Sequence, residues 1–192
     1  MQSYPNIGDI HAPCPSDFNM AEYVLAHADV TPEKVVLSVL SNSGARRISY
    51  AQLKSDVLGV AQGLLETGVE PDDRVLMRLG NTVDFPITYL AAIAIGAVPV
   101  PTSSVLTKTE VAKIIMDIDP TVIVHDGACA LPDTAHRVLN VEQIAAFKSN
   151  ESAEFHRRPS QHPLSSAESF FGTPKNAAYR PGLLSKTGSM MS

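Results

Sequence analysis

Hydrophobic and polar positions change period several times along this chain, and each change marks an element. Between Arg74 and Leu79 the apolar residues Val75, Met77 and Leu79 alternate, after the turn signal Glu70-Pro71-Asp72-Asp73, and predict a short strand. Gly80-Asn81 breaks that strand. Asn81 is the expected cap of the next helix, with Asp84 in its first turn, where the helix dipole favours a negative charge. Ile87 through Ile95 is apolar almost all round, so the helix is expected to be buried on several sides. Gly96 ends it, and Val98-Pro99-Val100-Pro101 returns as a second strand. Two strands joined by one helix over so short a span run parallel, with a right-handed crossover.

The flanking segments continue the alternation. Residues 1–17 hold Pro5, Gly8, Pro13 and Pro15 and read as an irregular lead-in. Asn19 with Glu22 opens a helix to about Ala28, with Phe18 and Tyr23 placed as a hydrophobic staple. Val35 to Leu40 is a strand, and Arg46-Arg47-Ile48 is its expected antiparallel partner across the turn Ser41 to Gly44. Ser49 and Gln52 match a capping box. Tyr50, Leu53, Val57, Ala61, Leu64 and Leu65 follow at helical spacing as far as Thr67, with Gly68 in the left-handed position after the helix. Thr107 and Glu110 form a second box ahead of Val111, Ile114, Ile115 and Ile118, and Asp119-Pro120 stops that helix. Thr121 to Val124 is a third parallel strand. A short strand at Arg137–Leu139 and a helix over Asn140–Phe147 complete an α/β class of parallel βαβ units with flanking helices. After Lys148 the composition turns to Ser and Pro without period, so residues 18–148 are the expected α/β subdomain and 149–192 a low-complexity, disordered tail.

Composition narrows the function classes. The 192 residues are 44% hydrophobic and 18% charged, which suits one globular domain. A net charge of −5 and the absence of a basic cluster argue against nucleic acid as a partner. Cys14 and Cys129 lie far apart in no metal-ligand spacing, and a reduced, cytoplasmic setting is expected. The opening residues do not read as a signal peptide, and the apolar run from Ile87 to Pro101 is too short for a membrane span.

Chemistry-bearing patterns are sparse. A lone Gly80 follows the strand where a dinucleotide fingerprint would need three glycines, and reads as a strand-to-helix turn. No Walker sequence occurs. Thr102-Ser103-Ser104 sits at a strand's carboxyl end, where ligands of open α/β sheets bind, but also reads as the turn leading to Thr107. The six histidines, His11, His27, His125, His136, His156 and His162, form no H-x-x-x-H pair. His125-Asp126 are neighbours at a strand end and point apart. Asp117 and Asp119 mark a helix end rather than a cation site. Periodicity and spacing therefore assign no catalytic, cofactor-binding or metal-ligating residue.

The wording of five stretches is more specific than their pattern. Arg47-Ile-Ser-Tyr-Ala-Gln-Leu53, Gly68-Val-Glu-Pro-Asp-Asp-Arg-Val75, Asn81-Thr-Val-Asp-Phe85, Ala91-Ala-Ile-Ala-Ile-Gly-Ala-Val-Pro-Val-Pro101 and Leu106-Thr-Lys-Thr-Glu110 come in order. Together they resemble the N-terminal part of the adenylate-forming enzymes, which include acyl-CoA synthetases, luciferases and peptide-synthetase adenylation domains. Asn81 to Pro86 and Asp17-Phe-Asn-Met20 are most similar to benzoate-type and medium-chain acyl-CoA ligases. The resemblance spans roughly residues 18–148. It implies an AMP-forming ligase acting on a carboxylate, with ATP, Mg2+ and CoA used by the complete enzyme and no cofactor expected on this chain. The family's Thr/Ser/Gly-rich phosphate loop should follow. Here Gly172-Thr-Pro-Lys175 stands after Ser169-Phe-Phe171, whose bulky rings replace the small residues needed for close approach to phosphate, and no role passes to Lys175. The resemblance fades near Glu154–His156, so the chain is expected to be a truncated member, inactive by itself. Its expected partner is the missing remainder, or a second copy through an apolar sheet face left uncovered. The alternative is a non-catalytic α/β module that binds a protein partner.

Overall fold

The computed structural model describes residues 17–41 and 44–159. The lead-in before Asp17, and the tail from residue 160 on, lie outside the described residues. The chain builds a four-stranded parallel sheet from β4 (Arg74–Arg78), β5 (Val98–Pro101), β6 (Val122–His125) and β7 (Arg137–Asn140), in the order β5-β4-β6-β7. Register runs Arg74 to Val98, Val75 to Val122 and Val122 to Arg137. β5 is an edge strand, the place in a sheet where Pro99 and Pro101 are tolerated. The two βαβ units read from periodicity are present: α3 (Asp84–Ala94) links β4 to β5, and α4 (Lys108–Ile118) links β5 to β6. From β6 to β7 the crossover is an irregular loop.

The two-residue period of the strands decides what each face meets. Val75, Met77, Val122, Val124 and Leu139 belong to one large core with α1 (Met20–Leu25), α2 (Tyr50–Glu66), α3 and α5 (Val141–Phe147). Leu76 and Ile123 point the other way, onto Val111 and Ile115 of α4. Both are fully buried, so α4 covers the middle of the sheet face expected to lie open, while Val138 beside Ile123 in β7 stays 37% exposed. The reason is the α4 apolar stripe itself, which lies over that face. Large apolar side chains that remain exposed are scattered: Leu40 in a hairpin strand, Val105 in a loop, Met116 on the outside of α4.

Helix ends follow local chemistry, with two corrections. Thr107 and Glu110 bond reciprocally, and Asp119 takes a left-handed φ of 44° to end α4. Its last carbonyls, Ile118 and Asp119, accept from the Arg74 guanidinium. Asn140 and Gln143 make the same reciprocal box on α5. Ser49 accepts from the Gln52 amide, but the Gln52 side chain turns to Asp56 at 2.7 Å, so that box is half formed. Gly68, at φ 91°, carries the chain off α2 in the left-handed conformation where a Cβ is disfavoured. The first correction is α3, which starts at Asp84 after Val83 with no side-chain cap; Asn81 stays outside it. The Phe85 amide donates to Thr82 O at 3.3 Å, and Asp84 pairs with Lys148 at 2.6 Å, from the end of α5. At α1, Asn19 accepts from the amides of Ala21 and Glu22, and Phe18 and Tyr23 rings meet at 5.8 Å. A 3-10 turn over Ala26–Asp29 completes the span predicted as one helix.

The second correction concerns residues 149–159, expected to begin the tail. They return across the domain. The Ala153 amide donates to Leu58 O at 3.2 Å, the His156 amide to Ala94 O at 2.7 Å, and β8 (Arg158–Pro159) pairs antiparallel with β1 (Asp17–Phe18). The compositional shift does mark a loss of period, but backbone hydrogen bonds need none. β2 (Val35–Ser41) and β3 (Gly44–Ser49) form the predicted hairpin as a separate two-stranded sheet. Among the described residues no helix is long and apolar enough to cross a membrane.

Candidate functional site

The carboxyl ends of β4, β5 and β6 are where an open parallel sheet takes a ligand. Here that rim is organised by Arg78, the last residue of β4, whose side chain is fully buried. A guanidinium has five N–H donors in a fixed fork, and in this position all are used. Nε donates to Ala130 O at 3.1 Å and one terminal nitrogen to Ala130 O at 2.9 Å and Leu106 O at 3.4 Å. The other donates to Thr102 Oγ1 at 3.1 Å and Ser103 O at 2.6 Å. Among the described residues no carboxylate forms an ion pair with it. The charge is solvated by carbonyl dipoles and one hydroxyl, and in return it holds the loops after β5 and after β6 in one arrangement.

Thr102, one of the three hydroxyl residues at this rim, is a structural link: Oγ1 accepts from Arg78 while donating to Met77 O at 2.9 Å. Ser103 contributes its carbonyl, and Ser104 is exposed in the turn before α4. The turn reading of this triplet is the one the geometry supports.

His125 and Asp126 do separate work. The His125 Nε2 lies 2.7 Å from Cys129 O. Asp126 accepts from the Gly80 amide at 2.7 Å, from the amides of Ala128 and Cys129, both at 2.9 Å, and from Cys129 Sγ at 3.4 Å. Burial pushes its carboxyl pKa up, but these four donors together outweigh it and bring it to about 2. A carboxylate so strongly held is a poor proton acceptor near neutrality. The Cys129 thiol is raised, by burial first and then by its bond to Asp126, so it is not primed as a nucleophile. A Cβ at Gly80 would come to 3.3 Å from Asp126 Oδ2, which ties that glycine to the same loop.

The remaining candidates fall elsewhere. Asp117 is exposed on α4, and Asp119 Oδ1 is 3.9 Å from His136 Nε2. The His27 and Tyr50 rings meet tilted at 5.8 Å, and the His156 ring lies against Gly96. Cys14, His11, His162 and the stretch 169–175 with Lys175 lie outside the described residues. Among the described residues no group of three or more His, Cys, Asp or Glu side chains gathers. The alternation of Val75, Met77 and Leu79 alone does not single out Arg78. Its signal was its parity: it shares a face with the fully buried Leu76, two residues before it.

A profile of the family described as AMP-binding enzyme matches residues 24–179, more than half of the chain. Enterobactin synthase component E of Escherichia coli is 27% identical over 150 residues, covering 73% of this chain and 27% of that protein. The 4-hydroxybenzoate–CoA/benzoate–CoA ligase of Rhodopseudomonas palustris is 38% identical over 72 residues, 38% of this chain and 13% of that one. The chain thus spans about a quarter or less of these relatives. Acetoacetyl-CoA synthetase of Streptomyces lividans superposes with a TM-score of 0.64 at 21% identity, over 77% of this chain and 28% of that one, a likeness of fold.

Proposed function

The chain belongs to the AMP-binding enzyme family, and from that premise we propose that it supplies the amino-terminal α/β portion of a carboxylate-activating acyl-CoA ligase. In the complete reaction a carboxylate oxygen attacks the α-phosphorus of ATP and pyrophosphate leaves. The thiol of CoA then attacks the acyl carbon and AMP leaves. ATP, Mg2+ and CoA belong to that complete reaction. The CoA-ligase identity among the relatives, including the benzoate-type enzyme, supports the substrate class. A soluble, cytoplasmic setting goes with it.

This chain's share in that function is architectural, and the 192 residues by themselves are inactive. The observation that carries this is the filled carboxyl rim: Arg78 has no donor left for a phosphate, and Asp126 has no capacity left as a base. A nucleotide arriving there would have to displace four backbone or hydroxyl partners of one buried cation. The experiment is ATP–pyrophosphate exchange by the purified chain with a panel of aromatic and medium-chain carboxylic acids. The expected result is no label in ATP above a protein-free blank. Acid-dependent exchange that rises in proportion to chain concentration would overturn the reading.

A further inference from the structure

Residues 151–157 have no regular secondary structure, yet they and β8 make a dense set of ties to one end of the domain. That end is the amino-terminal edge of the sheet, opposite the Arg78 rim. Asp72 precedes β4 and Gly96 precedes β5 there. Three groups of contacts reach it. Backbone bonds join Ala153 to Leu58 and His156 to Ala94. The two hydrogens of the Asn19 side-chain amide, whose oxygen caps α1, are shared among Ile93 O, Ala94 O and His156 O at 2.9, 3.1 and 2.8 Å. Two arginines close the arrangement. Arg157 meets Glu22 through two bonds of 2.8 and 2.6 Å, and Arg158 pairs with Asp72 at 2.8 Å while donating to Gly96 O.

The same segment buries little. Over residues 151–158 Ala153 is the one buried side chain, with Phe155 and Arg158 half-buried, whereas β4 and β6 are buried along nearly their whole length. The Arg157 side chain is 59% exposed and that of Asp72 71%. Exposed ion pairs are individually weak, and local stability follows buried apolar contact. Many weak ties with almost no core make an element that can let go without the rest unfolding.

We propose that residues 151–159 are a latch that opens as a unit of its own, and that the Glu22–Arg157 and Asp72–Arg158 pairs hold it shut. Closed, it clasps the two ends of the described domain together through β1 and β8 and fixes the place where the chain leaves the domain. Open, it frees that exit while the Asn19 oxygen still caps α1 and the sheet stays intact. The inference does not depend on the ligase reading, since it concerns backbone and ion-pair contacts alone.

Amide hydrogen exchange on the full 192-residue chain tests it. In the unaltered protein, Ala153 and His156 should exchange well ahead of Leu76 and Ile123. The double variant Glu22→Gln/Asp72→Asn keeps the shape of both side chains, and Asn tolerates the φ of 70° at that position. It should speed exchange at Ala153 and His156 by about three- to tenfold, as loss of two exposed ion pairs implies, and leave Leu76 and Ile123 unchanged. The swapped pair Glu22→Arg/Arg157→Glu should restore protection. Asp72→Asn alone gives the same readout, at smaller amplitude, if the double variant folds poorly. Equal rates for latch and sheet in the unaltered chain, or a parallel rise in both on substitution, would overturn the proposal. So would latch rates that ignore these charges.

Discussion

Replacing Arg78 by Met tests the account of the sheet rim most directly. Methionine matches the length of the stem and fills its apolar channel, but removes all five donors. The acceptors stranded are Thr102 Oγ1 and the carbonyls of Ser103, Leu106 and Ala130. Each would cost about 1–3 kcal/mol if it stayed dry. They do not all stay dry: Ser103 is exposed, Leu106 and Ala130 are half-buried, and Thr102 keeps its bond to Met77. Against the loss stands a gain, since a desolvated cation with no carboxylate partner is removed. With about half of the acceptors rewetted, the loss outweighs the gain and the variant should be destabilised by about 2–4 kcal/mol. For the roughly 140 described residues a total stability of about 7–20 kcal/mol is usual, so the effect is a substantial fraction. Urea unfolding followed by circular dichroism reads it as a lower midpoint with an unchanged slope. Arg78→Lys keeps the charge but offers three donors without the planar fork, and should recover less than half of the loss. If Arg78→Met unfolds within about 0.5 kcal/mol of the unaltered protein, the guanidinium is not what orders these loops.

Two further outcomes follow from the packing and the loop electrostatics. A Cβ at Gly59 would sit 2.7 Å from Phe147 O and 2.9 Å from Lys148 O, while one at Gly63 would sit 2.2 Å from the Phe147 ring. Helix propensity alone would favour alanine by about 1 kcal/mol, but backbone carbonyls cannot step aside and a ring can turn. Gly59→Ala should therefore lower the urea midpoint more than Gly63→Ala, and a rise in midpoint for Gly59→Ala would refute the close approach of α5 to α2. Asp126, with its folded pKa lowered to about 2 from 3.8, contributes stability that is fully present above about pH 4. That contribution is lost as pH falls toward 2, and amounts to roughly 2 kcal/mol. Asp126→Asn should lack this part of the acid loss, so denaturation curves at pH 5, 4, 3 and 2 converge for the two proteins; parallel curves would remove Asp126 from the account.

What could be read in the chain and what could not divides along one physical line. Thr107 with Glu110, Gly68 after α2 and the alternation in β4 all act within a few residues, so their letters suffice to predict them. The parallel pairing of β4 with β5 also follows from local facts, because a short helix between two strands leaves no other geometry. The misread features act across long separations in sequence. Asp84 is held by Lys148, which reaches it from α5, and residues 149–159 are ordered by acceptors on α2 and α3 rather than by any period of their own. Arg78 belongs with these: its partners lie 24 to 52 residues further on. The same distinction bears on function. The family was legible because its wording runs through local elements, from the capped helix at Ser49 to the box at Thr107. The state of the rim was not, since whether a sheet end is an open ligand site or a closed one depends on what a single buried cation draws together. Under the proposed function, a rim closed by its own loops leaves this domain as a support for the chemistry, which is why the exchange assay and the Arg78 series probe the same claim from opposite sides.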